Sequence, residues 1–170
     1  DEMLVDEQRV IDLCKMIIKE NIKIKWECGG GRVTSITENL IKWLKKAGCE
    51  RISFGGEEGS QRILNAMNKK QTPAQIIKAF DICNKYKVDA EALLIRGFPG
   101  ETSQTINETI KLLKRGEGKL IVIASTCPAK EDLKYYANLA GIQTVEFKGD
   151  GYELGAMVRK PFSVSVVLVK

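Results

Sequence analysis

Histidine is absent from this 170-residue sequence, and its five cysteines lie far apart along the chain. Without histidine, the chain has no His general base, no His-containing catalytic triad and no His metal ligand. The cysteines are Cys14, Cys28, Cys49, Cys83 and Cys127, and no two of them form a C-x-x-C pair. Zinc and iron–sulfur sites need closely spaced thiolates. We therefore expect no metal site and no catalytic residue, and we interpret the cysteines as reduced core residues of a cytoplasmic protein.

Long apolar runs and a strong charge of one sign are also missing. No stretch approaches the ~18 apolar residues of a membrane span, and the acidic segment 1–6 predicts no secretory signal. We expect no contact with a membrane. The net charge is +5, from 27 basic and 22 acidic side chains. This balance permits contact with RNA but does not argue for it.

The sequence does contain a regular alternation of helical and strand periods. Two capping boxes, Ser35–Glu38 and Thr72–Gln75, begin helices. Further helices are predicted at 6–21, 60–67, 103–115, 130–139 and 152–157. Strands are predicted at 22–28, 51–54, 90–95, 120–124, 144–147 and 164–169. This order predicts an α/β fold with a mostly parallel six-stranded sheet and helices on both faces, in a single continuous domain over 1–170.

Glycine-rich turns close the first three predicted strands, at Gly29–Arg32, Gly55–Ser60 and Gly97–Thr102. If these strands are parallel neighbours, the turns share one edge of the sheet, where backbone N–H groups and helix N-termini favour an anion. Glu57 could accept hydrogen bonds from a ribose or an amino group, whereas the Glu57-Glu58 pair is more simply a solvated helix start. The glycines could equally serve only as tight turns. Any small molecule bound there is expected to be anionic or a nucleotide.

The segments Ile24–Cys28, Lys46–Ile52, Phe54–Leu64 and Gly97–Thr102 occur in the order and at the spacing of a known family. Over about residues 1–113 the sequence resembles the later part of a radical S-adenosylmethionine (SAM) barrel of the cobalamin-associated type. The resemblance implies a half-barrel with part of a SAM pocket at its rim. The cofactor-binding residues that it implies, with the neighbouring turn residues, are Gly55, Glu57, Ser60, Gly97 and Gly100.

Two departures separate this sequence from that family. The family cleaves SAM with an iron–sulfur cluster on three close cysteines, which this sequence does not contain. Glu58 stands where the family usually has a serine. We therefore expect no iron–sulfur cluster and no enzymatic activity, and SAM is a cofactor by resemblance only.

A second resemblance rests on the segments Gly116–Ala124, Asp132–Ala137, Glu153–Gly155 and Phe162–Val169. Over about residues 107–170 the sequence resembles the eukaryotic and archaeal large-subunit ribosomal protein thirty, of the kink-turn RNA-binding family. This implies an α-β-α sandwich segment that binds RNA. The net charge after Gln104 is only +3, so any such binding is expected to be weak and salt-dependent. The candidate RNA contacts are Ser125, Thr126, Glu153, Arg159, Lys160 and Phe162. The alternative is that Arg159 and Lys160 form a solvated turn and that Phe162 belongs to the core.

The two resemblances meet within one predicted helix, at about 101–115. We expect Leu120–Ala124 to pair beside Ala90–Ile95, and the open edge of the half-barrel to favour self-association. The sequence is interpreted as a recombined or engineered chimera without catalysis of its own. The alternatives are an RNA-binding module of ribosomal-protein type, and a radical SAM fragment that retains part of the SAM pocket.

Overall fold

The computed structural model describes residues 3–115, 119–128, 130–158 and 161–169. The helices are α1 (Glu7–Lys19), α2 (Glu38–Lys46), α3 (Gln61–Ala66), α4 (Pro73–Lys85), α5 (Ser103–Arg115), α6 (Lys130–Leu139) and α7 (Gly151–Met157). The strands are β1 (Trp26–Arg32), β2 (Cys49–Glu57), β3 (Asp89–Leu94), β4 (Leu120–Ala124), β5 (Gln143–Phe147) and β6 (Val166–Val169). The alternation of helices and strands along the chain is thus confirmed.

Within the described residues, one six-stranded sheet has the order β1-β2-β3-β6-β4-β5. The pairs β1–β2, β2–β3 and β4–β5 are parallel, whereas β6 runs antiparallel to both of its neighbours. The predicted α/β class with a mostly parallel sheet is confirmed. Because β1, β2 and β3 are parallel neighbours, their carboxyl ends share one edge of the sheet.

The expected pairing of Leu120–Ala124 beside Ala90–Ile95 is wrong, because β6 lies between these two strands. Leu168 is opposite Ala92 of β3 on one side and opposite Ile121 of β4 on the other. The sequence of β6 is continuously apolar, and a strand of this kind needs partners on both sides and cover on both faces. A central position supplies both.

Helices cover the two faces of the sheet unevenly. Helices α1, α2, α4, α5 and α6 pack on one face, against side chains that include Ile52, Phe54, Ala92, Ile121 and Leu168. On the other face α7 packs through Leu154 against Leu93, Ala124, Val164 and Val167. Successive side chains of a strand point to opposite faces, which separates the two clusters.

Two predicted boundaries of elements are wrong for local reasons. Strand β2 does not end at Phe54 but continues through Gly55 and Gly56 to Glu57. A Cβ on Gly56 would lie 3.0 Å from the Cβ of Ala92, so glycine lets β2 continue close to β3. The first strand likewise begins at Trp26 and includes its glycines, with a register shift between Cys28 and Gly31.

Capping explains where two helices begin. Thr72 Oγ1 accepts the N–H of Gln75, and the reciprocal bond is also present, so the predicted capping box of α4 is confirmed. The box predicted at Ser35 is wrong, because residues Val33–Ser35 form a short 3₁₀ turn. Helix α2 therefore begins two residues later, where Thr37 Oγ1 accepts the N–H of Leu40 at 3.1 Å.

Because β6 holds both halves of the sheet, we expect Leu168→Ala to destabilise the whole chain. Leu168 is fully buried, and deletion of such a side chain costs about 2–5 kcal/mol. In chemical denaturation, one cooperative transition should shift to lower denaturant. Val145→Ala, on edge strand β5 and half exposed, is the control and should cost less than about 1 kcal/mol. Two separate transitions in either protein would contradict the role given to β6.

Candidate functional site

A cavity of about 830 Å³ lies at the carboxyl ends of β1, β2 and β3. This volume falls within the range of small-molecule sites. The half-barrel contributes Gly29, Gly31, Arg32, Thr34, Gly55, Glu57, Asn68, Lys69, Lys70, Gln71, Leu93, Leu94 and Ile95 to its lining. The later part of the chain closes it with Pro161, Phe162, Ser163 and Val164. The cavity is thus built from both parts of the chain.

Glu57 occupies a strained position in the cavity wall. Its φ is 62°, in the left-handed region that non-glycine residues rarely adopt. Its carboxylate accepts a hydrogen bond from Lys69 Nζ at 2.9 Å, and a Cβ on Gly55 would lie 2.5 Å from Oε1 of Glu57. Gly55 is therefore needed so that the carboxylate can fold over the end of β2. Backbone strain of this kind costs roughly 1–3 kcal/mol and concentrates at functional sites.

The segment from Asn68 to Gln71 forms a polar wall over β2. Gln71 Nε2 donates to the carbonyl oxygens of Gly55 and Gly56, at 3.2 and 3.0 Å. These bonds hold the neighbouring lysines at the cavity, where Lys69 pairs with Glu57 and Lys70 is exposed. The lining carries Arg32, Lys69 and Lys70 against Glu57, so it has a net charge of +2. This charge favours an anionic ligand.

The remaining candidate cofactor residues, Ser60, Gly97 and Gly100, lie outside the cavity lining. The N–H of Gly97 donates to Glu101 Oε2 at 2.8 Å, and a Cβ on Gly97 would lie 2.5 Å from Pro128 Cγ. The carbonyl of Gly100 accepts from Arg62 Nη2 at 2.8 Å. Ser60 is the buried N-cap residue of α3. The structure therefore brings Gly55 and Glu57 together and places the other three around the loop before α5.

A buried ionic cluster lies under that loop. Arg96 Nη1 donates to Glu58 Oε2 at 2.8 Å, and Arg96 Nη2 lies 3.3 Å from Glu101 Oε2. The side chains of Glu58 and Arg96 are 0% exposed, so the interpretation of Glu58 as a solvated helix start is wrong. A Cβ on Gly59 would overlap the backbone of Thr109, and this close approach to α5 excludes water from Glu58.

Burial raises the pKa of Glu58 to about 8. Arg96 and the N–H of Gly59 favour the ionised form, whereas the nearby carboxyl of Glu101 raises the pKa further. With both carboxyls ionised, one guanidinium would face two buried negative charges. A proton on Glu58 removes this excess charge, which is why we place its pKa above the ordinary range.

The candidate RNA contacts of the later part gather around the start of α7. Ser125 Oγ donates to the carbonyl of Gly149 at 2.8 Å, and Thr126 Oγ1 accepts the N–H of Gly151 at 3.2 Å. Glu153 completes a capping box. The same end of the fold carries Phe162, which is 54% exposed and not part of the core. Arg159 and Lys160 lie outside the described residues.

In α/β folds, ligand sites lie at the carboxyl ends of parallel strands, which is where this cavity lies. Residues 3–113 match the Radical SAM superfamily, and residues 103–170 match the Ribosomal protein L7Ae/L30e/S12e/Gadd45 family. The chain belongs to the radical SAM superfamily over its first part and to the L7Ae/L30e family over its later part. The matches overlap at 103–113, within α5, as the two resemblances predicted.

Individual relatives agree with this division. An uncharacterized methyltransferase of Pyrococcus horikoshii is 35% identical over 115 residues, which cover 68% of this chain and 25% of that protein. The large ribosomal subunit protein eL30 of Methanocaldococcus jannaschii is 49% identical over 63 residues, which cover 36% of this chain and 57% of that protein. The eL30 of Methanobrevibacter smithii is 35% identical over 72 residues, covering 41% of this chain and 73% of that protein. The chain thus spans about a quarter of the length of the Pyrococcus horikoshii protein.

Solved structures share the fold. A cobalamin-dependent S-adenosylmethionine radical enzyme has a TM-score of 0.58 and 23% identity, covering 64% of this chain and 16% of that one. Coproporphyrinogen III oxidase from Escherichia coli, a radical SAM enzyme, has a TM-score of 0.61 and 14% identity, and the match covers 81% of this chain and 38% of that one. At these identities, the similarity concerns the fold.

The cysteines do not fit the iron–sulfur cluster that the superfamily implies. All five are buried as thiols, and burial raises the pKa of Cys49 to about 12 and that of Cys127 to about 11. In the described part of the chain, no three His, Cys, Asp or Glu side chains form a group that could hold a metal ion. Among the same residues, no helix has the length and apolar character to cross a membrane.

The buried cluster predicts an unusual pH dependence of stability. The folded-state pKa of Glu58, about 8, lies above the ordinary value near 4.5, so its stabilising contribution is full below pH 4.5 and is lost as the pH rises to 8. No histidine titrates in this window. We expect the free energy of unfolding to fall by roughly 1–4 kcal/mol between pH 5 and 8.

Glu58→Gln tests this assignment, because the amide has the shape of the protonated carboxyl and does not titrate. Its stability should be nearly constant from pH 5 to 8. Glu131→Gln, at the start of α6 and exposed, is the control and should retain the decline. A wild-type stability that rises with pH over this range would contradict the raised pKa of Glu58.

Proposed function

We propose that this chain binds an anionic nucleotide in the cavity at the carboxyl ends of β1 to β3. The observation that carries the proposal is the composition of the lining, in which Arg32, Lys69 and Lys70 outnumber Glu57 around a cavity of about 830 Å³. Apolar side chains such as Leu93 and Val164 complete the wall. A nucleotide combines a flat apolar base with a negative tail, and this lining offers a surface for each.

The groups that would hold such a ligand have separate roles. The Glu57 carboxylate, fixed over Gly55 by Lys69, can accept hydrogen bonds from ribose hydroxyls. The cations Arg32 and Lys70 attract the phosphate. SAM also fits by size and by family, and it supplies a methyl group or a reactive carbon–sulfur bond when it is bound. SAM carries a net positive charge, however, so the lining favours a nucleotide phosphate over it.

We propose that the chain by itself does not cleave SAM. Its cysteines are buried, and the raised pKa values of Cys49 and Cys127 keep these two thiols protonated at neutral pH, whereas metal binding requires thiolates. We also propose that a recombination, natural or engineered, joined the two families within α5. Buried reduced thiols suit a cytoplasmic location.

Calorimetric titration with AMP, ADP and SAM tests the binding proposal. We expect the adenine nucleotides to bind more tightly than SAM, because their charge is opposite to that of the lining. Lys70→Glu should weaken ADP binding roughly tenfold, equivalent to about 1.4 kcal/mol. Glu57→Ala should remove the ribose-dependent part of the affinity for ADP.

The matched control is Lys42→Glu. Lys42 is an exposed lysine of α2 that is absent from the cavity lining, so this variant should bind ADP as the wild type does. Tighter binding of SAM than of every adenine nucleotide would contradict the anionic proposal and favour a retained SAM pocket. Equal loss of affinity in the two lysine variants would show only long-range charge attraction.

A second candidate function is RNA binding by the later part, favoured by its 49% identity to an archaeal eL30. We propose a contact surface that consists of Ser125, Thr126, Glu153 and Phe162, with Arg159 and Lys160 as its cations. The side chains of Ser125, Thr126 and Glu153 already form hydrogen bonds with the backbone of this chain. They therefore shape the surface, and few groups remain to contact phosphates.

Weak and strongly salt-dependent RNA binding is therefore expected. The affinity for a kink-turn RNA and for an unrelated duplex should be measured at two salt concentrations, because released counterions set the slope. We expect the kink-turn RNA to bind more tightly at both concentrations. Equal affinities with equal slopes would contradict specific RNA recognition.

A further inference from the structure

Phe162 lies where the two proposed sites meet. It lines the cavity together with Pro161, Ser163 and Val164, and it is 54% exposed. It comes from the part of the chain that matches the L7Ae/L30e family, whereas the charged residues of the cavity come from the radical SAM part. We propose that Phe162 is the stacking platform for the base of the bound nucleotide. This inference rests on the proposed function.

The backbone around Phe162 is held rigidly against α7. A Cβ on Gly155 would overlap the carbonyl oxygen of Phe162, so the loop lies directly on the helix. The N–H of Val164 donates to the carbonyl of Gly151 at 2.7 Å, and a Cβ on Gly151 would overlap Ser163 Oγ. An aromatic side chain on a fixed backbone loses little entropy when a base stacks on it, which favours binding.

Apolar side chains share the cavity lining with Phe162 and offer a surface for a base. Val164 and Leu93 are buried neighbours in one cluster with Leu154 and Val167, and both line the cavity. The cations lie elsewhere in the lining, Arg32 at the end of β1 and Lys70 over β2. The apolar and charged ends of the cavity are therefore separated across the sheet.

The distance between these ends suits an extended ligand. From β1 to β6 the sheet order gives three strand spacings, or about 14 Å at ~4.8 Å per strand. The loop with Phe162 precedes β6, which is antiparallel to β3, so it lies at the edge where β3 ends. A nucleotide with its base on Phe162 and its phosphates toward Arg32 and Lys70 would cross the carboxyl ends of β2 and β3, past Glu57.

The test separates the contribution of the base from that of the phosphate. The affinity of the full chain for ADP, AMP and ribose 5-phosphate should be measured by calorimetry for the wild type, Phe162→Ala and Phe162→Trp. Stacking on an aromatic side chain is lost in the alanine variant, so ADP and AMP should bind about tenfold to a hundredfold more weakly. Ribose 5-phosphate should bind equally to all three proteins, and Phe162→Trp should retain the affinity for ADP.

Tyr152→Ala is the matched control, because Tyr152 is a 71% exposed aromatic residue of α7 that is absent from the cavity lining. It should bind ADP as the wild type does. Unchanged ADP binding by Phe162→Ala would overturn the platform and leave the proposed function standing. If Phe162→Ala binds ADP as the wild type does but loses affinity for the kink-turn RNA, Phe162 is an RNA contact and the platform proposal is wrong. A wild type that binds neither ADP nor ribose 5-phosphate would overturn both proposals.

Discussion

The hydrogen bonds of β6 are the constraint on which the rest of the structure depends. Without this strand, β3 and β4 would each end their half of the sheet with unpaired backbone groups, which is an unstable and aggregation-prone arrangement. Antiparallel pairing on both sides satisfies these groups at once. It also fixes the loop before β6, with Pro161 and Phe162, at the carboxyl end of β3. The strand that joins the halves is therefore also the strand that closes the cavity.

The second link between the halves is a steric contact beside a buried ionic cluster. Arg96 and its carboxylates lie beneath the loop where Gly97 contacts Pro128, so residues of both families meet there. A buried ion pair adds little net stability, because desolvation offsets most of the attraction. The cluster instead fixes the position of the loop, because a displaced loop would separate Arg96 from Glu58 and Glu101. Burial raises the pKa of the Cys127 thiol, and the charges of Arg96 and Glu101 act on it in opposite directions.

Sequence periodicity predicted the elements better than their arrangement. The capping box at Thr72 and the apolar run of β4 are local signals, and both are confirmed. The neighbours of β6 could not be predicted, because four consecutive apolar residues, three of them buried, indicate a central strand but do not identify its partners. Glu57 could be predicted as a site residue because it lies in the glycine-rich segment Gly55–Ser60. The polar wall around Lys70 could not be predicted in this way. Its only signal was a Lys-Lys-Gln run after α3, which also suits an ordinary exposed loop.

The cavity is built from both parts of the chain. A half-barrel alone would leave the carboxyl ends of β1 to β3 open to solvent on the side where further strands are missing. The segment Pro161–Val164 covers that side, although nothing in its own sequence indicates a small-molecule site. The strained Glu57 and the loop Pro161–Val164 thus line the same cavity. The proposed ligand site therefore depends on the loop before β6, which lines the cavity, as well as on the glycine-rich turns.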